Sequence, residues 1–249
     1  MSKILNELKQ YCGDNLNDTH LGIVYGSYAY GTAKDNSDID IMVLDEEFSL
    51  EQINNLVDFI FKIHNKYGLE LDFEVPYDKK LLVNKKILIQ GIEGKCFEKE
   101  ENRLIIPPII PTQEFLSSDV LLMRLALNAF TNKNLFFSGN EQEYMAYKDR
   151  AVESLVAFIF ALNPAESYNI SQFIEKMHSD SQQKDKLYLG YKNKPEIVEY
   201  FTEMLERKFN TLCADGVLSR NANKYSILNF KWLYDKISKV PHKSMTNPS

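Results

Sequence analysis

The sequence holds little of what several common chemistries require. Its 249 residues include only three cysteines and four histidines. Cys12, Cys96 and Cys213 are odd in number and far apart, which excludes a disulfide framework and a zinc-binding spacing and reads as reduced thiols. His20, His64, His178 and His242 are equally scattered, so no local spacing marks a histidine metal site or a Ser-His pair. No apolar run approaches the roughly 20 residues that span a bilayer. The opening stretch MSKILNELKQYCGDN lacks the apolar centre of an export signal, so a cytoplasmic location is expected. Basic excess is missing too. The net charge of −6 gives no footprint of a dedicated nucleic-acid binder. Neither an internal repeat nor a low-complexity segment is present.

What is present is uneven in charge. Residues 1–76 carry 14 acids and 5 bases, a net of −9, and residues 77–249 carry 21 acids and 24 bases, a net of +3. An acidic first third suits a site that draws metal cations, and the basic remainder suits an anion held by that metal.

Hydrophobic spacing predicts the elements. A helix is expected over 3–12, with Ile4, Leu5, Leu8 and Tyr11 on one stripe. LGIVY (21–25) reads as a buried strand, and Gly26-Ser27 as the start of a turn or short helix that Gly31 ends. IDIMVL (39–44) reads as a second strand. Ser49 and Gln52 stand in capping-box positions for a helix over 50–67. LELDFEV (69–75) alternates as a half-buried strand does. More strand and extended chain is expected through KKLLVNKKILIQ and NRLIIPPIIPTQEF. Pro107, Pro108 and Pro111 suit neither a helix nor a central strand, which places a domain boundary near residue 110. Beyond it helices are expected over 115–131, 140–162, 168–178, 195–214 and 226–238, with a mobile tail over 241–249. The fold class expected is α+β: a mixed-sheet domain over 1–110, then an α-helical bundle over 111–240.

The chemistry concentrates in GSYAYGTAKDNSDID, residues 26–40. Asp38 and Asp40 are two apart, so on a strand they share a face. Two carboxylates held that close repel unless a cation lies between them. A hard ion such as Mg²⁺ suits them, because it binds through one or two carboxylates plus substrate phosphates. Gly26 lets a phosphate approach the backbone, and Ser27 with the neighbouring amides offers an anion cradle. Taken singly, Asp-x-Asp and Gly-Ser are weak signals; most copies are solvated acids or plain turns. The combination of strand, Gly-Ser, short loop, Asp-x-Asp and strand is far more specific.

In these residues the sequence resembles the polymerase-beta-like nucleotidyltransferase superfamily, and is similar to the bacterial two-domain aminoglycoside nucleotidyltransferases in motif and architecture. The resemblance implies transfer of a nucleoside monophosphate from an NTP, ATP being the one expected, to a hydroxyl, with release of pyrophosphate. It implies Mg²⁺, or Mn²⁺ in its place, held by Asp38 and Asp40, and a third carboxylate on a later strand. Asp72 best fits that third place, with Glu74 in reserve, and the strand's wet face is the ordinary alternative for both. Gly26 and Ser27 are expected to steady the phosphates. Many small bacterial relatives carry Arg where this sequence has Tyr30, so a cation near the phosphates is missing there. Lys79, Lys80, Lys85 and Lys86 are nearby cations available to help hold the phosphates, with a solvated face as the leading reading. In the helical half, Lys148 is the candidate phosphate ligand, beside the plainer reading of a polar helix end. A small-molecule acceptor is expected ahead of tRNA or a protein side chain. A non-catalytic, partner-binding member is the alternative outside enzymology. A homodimer is among the states the resemblance admits.

Overall fold

Four strands build the sheet that carries Gly26 and Asp40. In the computed structural model, which describes residues 2–71, 81–107, 118–178 and 194–243, they are β1 (Leu21–Tyr25), β2 (Asp40–Asp45), β3 (Leu82–Asn84) and β6 (Leu135–Gly139). Their order is β3-β2-β1-β6. β1 runs antiparallel to both β2 and β6, and β2 runs parallel to β3. The sheet is mixed, as expected.

Helices cover it for identifiable reasons. The helix α1 (Ser2–Asn15) buries Ile4, Leu8 and Cys12, one stripe at helical spacing. The single-turn helix α2 (Gly26–Tyr30) connects β1 to the loop before β2. The helix α3 (Leu50–Tyr67) starts at Ser49, whose side chain accepts the Gln52 N–H while the Gln52 side chain accepts the Ser49 N–H. That capping box and the stop at Gly68 fall where the spacing predicts. Leu56, Ile60 and Ile63 of α3 join Ile4, Leu8, Val24, Ile41 and Val43 in one core.

After β3 the chain departs from the expected extended form. Residues Lys85–Ile92 are a helix, α4. Lys85, Leu88 and Ile92 are buried along it, so a helical stripe runs through KKILIQGI. Two more helices come after it, α5 (Asp119–Thr131), capped by Ser118, and α6 (Glu141–Leu162).

The chain forms two compact units, one of Met1–Ile89 with Pro111–Arg150 and the other of Gln90–Ile110 with Ala151–Ser249. They do not follow a single linear cut at residue 110. Residues 111–150 return to the first unit because β6, absent from the expected elements, completes the sheet against β1. LFFSG is too short and too weakly alternating to stand out between two helical patterns.

The second unit holds the hairpin β4 (Glu98–Glu100) and β5 (Arg103–Ile105), the helices α7 (Ile170–His178), α8 (Pro195–Ala214) and α9 (Phe230–Lys236), and the hairpin β7 (Leu218–Asn221) and β8 (Lys224–Ile227). Phe160, Phe173 and Phe209 form its aromatic centre, with ring centroids 5.1–6.2 Å apart. Helix prevails there as expected, with β8 taking Ser226 and Ile227 from the start of the stretch expected as helix 226–238 and α9 lying within the rest. The Lys99 and Lys243 backbones pair across 3.0 Å, so Pro241–Lys243 are tied to β4 rather than trailing free. Among the described residues no helix is long and apolar enough to cross a membrane.

Candidate active site

Two sequence motifs separated by a loop are brought into contact at the end of β1. Tyr25 pairs with Asp40 as the last rung between β1 and β2. The next residue, Gly26, turns with φ +69°, a backbone conformation that disfavours any side chain. A methyl group on Gly26 would lie 1.9 Å from Asp40 Oδ2 and 2.9 Å from its Cγ. The carboxylate of Asp40 therefore rests on the bare Cα of Gly26. Glycine is needed twice over, for the turn and for the acid beside it.

From Gly26 the chain makes the one turn of α2 and stops at Gly31, where φ is +76° and the amide bonds back to Tyr28 O at 3.3 Å. Ser27 is half-buried in the first turn of α2, and its carbonyl accepts the Thr32 N–H at 2.9 Å. The next loop returns to Asp38, also half-buried, then to buried Ile39 and half-buried Asp40. Ile39 packs into the core, leaving the two carboxylates bracketing an anchored residue.

The loop is fastened at several points. Tyr28 donates its hydroxyl to Ser37 O at 3.3 Å. Burial raises the Tyr28 phenol above its ordinary value, and the negative charges of Asp38 and Asp35 raise it further, which places Asp38 within electrostatic reach of α2. The Glu70 N–H donates to Asn36 O at 2.9 Å, and the Asn36 side chain donates to Glu70 Oε1. Glu70 is two residues before Asp72. Asp72 and Glu74 themselves, like Lys79 and Lys80, lie outside the described residues.

Asp38 and Asp40 supply two hard oxygen donors beside a backbone turn that a methyl group would fill, a donor set that fits Mg²⁺. Among the described residues, no group of three or more His, Cys, Asp or Glu could hold a metal ion.

Tyr30 stands where the sequence departs from the expected arginine, and its surroundings explain what it does. It is 7% exposed, and its hydroxyl donates to Asn132 Oδ1 at 2.8 Å and accepts the Lys133 N–H at 3.3 Å. It ties the end of α2 to the turn before β6. Replacing Tyr30 with Phe is expected to lower stability by about 1 kcal/mol, the size of one net hydrogen bond. The midpoint of a thermal melt should fall by roughly 2–4 °C.

Lys148, in the part of α6 that belongs to the first unit, meets the same turn. Its Nζ donates to Asn132 O at 3.2 Å and Asn134 Oδ1 at 2.9 Å, and lies 5.8 Å from the centre of the Tyr144 ring. Tyr30, Asn132 and Lys148 thus form a bonded chain from α2 to α6. Burial pulls the Lys148 ammonium down to about 8. Between pH 8 and the unfolded value near 10.5, the unfolded chain holds a proton that the folded chain has lost. Stability contributed at this position therefore rises with pH across that window. Denaturant unfolding of wild type and Lys148→Met at about pH 8 and about pH 9.5 should show the difference moving in favour of wild type at the higher pH.

Lys85 is not part of a solvated face. It is 2% exposed and pairs with Glu143 Oε1 at 2.6 Å, whereas Lys86 is exposed as expected. The contributions of Tyr28, Asn36, His64 and Asn132 were missed by sequence reasoning. His64 continues the buried side of α3 that Leu56, Ile60 and Ile63 begin.

Known proteins bear on this geometry. Residues 2–93, which span α1 to the end of α4, match the family model described as a nucleotidyltransferase domain. A Methanocaldococcus jannaschii protein named "Putative protein adenylyltransferase" is 31% identical over 75 residues, 28% of this chain and 51% of that protein. The chain thus spans about half the length of that relative. No solved structure matches the chain significantly. The turn at Gly26 and the carboxylate of Asp40 upon it lie within residues 2–93, the part of the chain that is similar to a nucleotidyltransferase domain.

Proposed function

We propose that the protein transfers a nucleoside monophosphate from an NTP, with a divalent metal, to a hydroxyl-bearing acceptor and releases pyrophosphate. The observation that carries this reading is the seating of the Asp40 carboxylate on Gly26, which sets a metal-type donor against a phosphate-type turn. Asp38 and Asp40 hold Mg²⁺, or Mn²⁺ in its place. The ion, when bound, neutralises triphosphate charge and polarises the phosphoryl oxygens.

The chain's own residues do the rest by placement. The amides after Gly26, with Ser27, steady the phosphates that leave. Lys148 is the cation of the first unit assigned to the phosphates, where Tyr30 replaces arginine. Asp72 completes the carboxylate set and receives the proton of the acceptor hydroxyl. That hydroxyl oxygen forms a bond to the α-phosphorus as the bond to the β-phosphate oxygen breaks, and pyrophosphate departs.

The acidic first third of the chain favours a small cationic acceptor. A second reading, transfer of AMP to a protein side-chain hydroxyl, is favoured by the name of the M. jannaschii relative. One assay separates them. The protein is incubated with each α-labelled NTP and Mg²⁺, alone, with a panel of aminoglycosides and other small alcohols, and with denatured and native protein acceptors. Label on a small molecule supports the first reading and label on a protein supports the second. Absence of transfer together with absence of metal-dependent nucleotide binding overturns both.

A further inference from the structure

We propose that His64 is a positioning residue for the aspartate pair, its imidazole accepting the backbone N–H of Ile39 between Asp38 and Asp40. The inference rests on the reading of Asp38 and Asp40 as the metal-holding pair.

His64 is 1% exposed, near the C-terminal end of α3. Its Nδ1 lies 2.9 Å from the Ile60 carbonyl. A carbonyl oxygen only accepts, so Nδ1 carries the hydrogen. Nε2 is then left with a lone pair, and the Ile39 N–H donates to it across 3.5 Å. One neutral tautomer satisfies both contacts.

Ile39 is 2% exposed, so its amide is cut off from water and must find an acceptor in the protein. β3 pairs with β2 only from Val43 onward, so it does not reach Ile39. The neighbouring fasteners act elsewhere: Tyr28 holds the carbonyl of Ser37, and Glu70 holds Asn36. The contact from His64 falls between the two carboxylates. A rotation of the Ile39 peptide turns Asp38 relative to Asp40, because the two acids are joined through that residue. Fixing its N–H fixes their spacing.

If His64 only filled space, an apolar residue of similar size would serve as well. The experiment compares full-length wild type, His64→Leu, His64→Gln and Asp40→Asn. Binding of Mn²⁺ with ATP is read from the free Mn²⁺ signal in electron paramagnetic resonance. Amide exchange is followed on peptides covering residues 36–41, and folding by thermal melting. His64→Leu is expected to fold, to bind Mn²⁺–ATP about 10-fold more weakly, the lower end of what loss of a supporting contact behind a metal ligand costs, and to exchange faster at Ile39. His64→Gln, whose side-chain oxygen can accept the same N–H, should return binding to within about 2-fold of wild type. Wild-type binding by His64→Leu, with binding lost in Asp40→Asn, overturns the positioning role and leaves the site reading intact. Equal binding by wild type and Asp40→Asn overturns the site reading itself. Should His64→Leu fail to fold, wild-type exchange decides: an Ile39 amide protected about 100-fold beyond that of exposed Asn36 supports the role, and equal exchange overturns it.

Discussion

Gly26→Ala is expected to yield a protein that folds less stably, by about 2 kcal/mol, and that loses metal-dependent nucleotide binding. Two separate costs combine. The φ of +69° at Gly26 lies in the left-handed region, where a residue with a Cβ costs roughly 1–2 kcal/mol. The added methyl group also falls 1.9 Å from Asp40 Oδ2, far inside contact distance. The backbone and the carboxylate cannot both stay. The atoms the methyl group would strike are the outer end of the half-buried Asp40 side chain, whereas Tyr25 and α2 are held by the β1–β2 ladder and by Tyr30. The acid is therefore the group that moves. Stability is read by denaturant unfolding and nucleotide binding by Mn²⁺–ATP titration. A Gly26→Ala protein with wild-type binding would show that the seat of Asp40 on the glycine has no bearing on the site.

The parts of this arrangement that were legible in the sequence are those set by local spacing. The capping box at Ser49 and Gln52 is a short-range device, and α3 begins there. Asp38 and Asp40 bracket an apolar residue, and Ile39 is buried between them, although β2 begins only at Asp40 and leaves Asp38 in the loop before it. Gly26-Ser27 announces a turn because glycine alone adopts the left-handed backbone at the end of β1 without strain. Other features depend on partners far along the chain. β6 lies far beyond β1 in sequence, after four intervening helices and four intervening strands among the described residues, and nothing in LFFSG names its partner. The pairing of Tyr30 with Asn132 and of Lys85 with Glu143 likewise joins residues 102 and 58 apart. A lysine in a run of lysines reads as solvated until the fold supplies a carboxylate to bury it against. Tyr30 read as a gap in a cation pattern, and its position in the fold makes it a strut.

The hydrogen bond of His64 lies between these cases. Its burial on α3 follows from helical period, and its acceptor role follows only when Ile39 is placed against it. The same holds for the Asn36 and Glu70 pair, which brings the chain after α3 alongside the loop that ends at Asp38.

Asp40→Asn should abolish nucleotidyl transfer, lowering its rate by roughly 1,000-fold, the scale on which loss of one preorganised charge-stabilising group acts. It should leave the melting midpoint near that of wild type. Asparagine keeps the shape that rests on Gly26 and removes the charge that a divalent ion needs. β2 itself supplies the control, because it ends in another aspartate with a different task. Asp45 is fully buried and accepts hydrogen bonds from Thr19 Oγ1 at 2.6 Å, Asn17 Nδ2 at 3.1 Å and the Glu46 N–H at 2.8 Å. Its carboxylate is spent on holding the strand end. Asp45→Asn should therefore destabilise by about 1.5–3 kcal/mol, as loss of hydrogen bonds to a charged group does, while each folded molecule keeps its activity. Transfer of labelled nucleotide per folded molecule, set beside thermal melting, reads both variants. The two aspartates sit at opposite ends of one six-residue strand. An active Asp40→Asn enzyme would mean that the metal is held elsewhere, and an inactive but stable Asp45→Asn enzyme would mean that the site extends to the far end of β2.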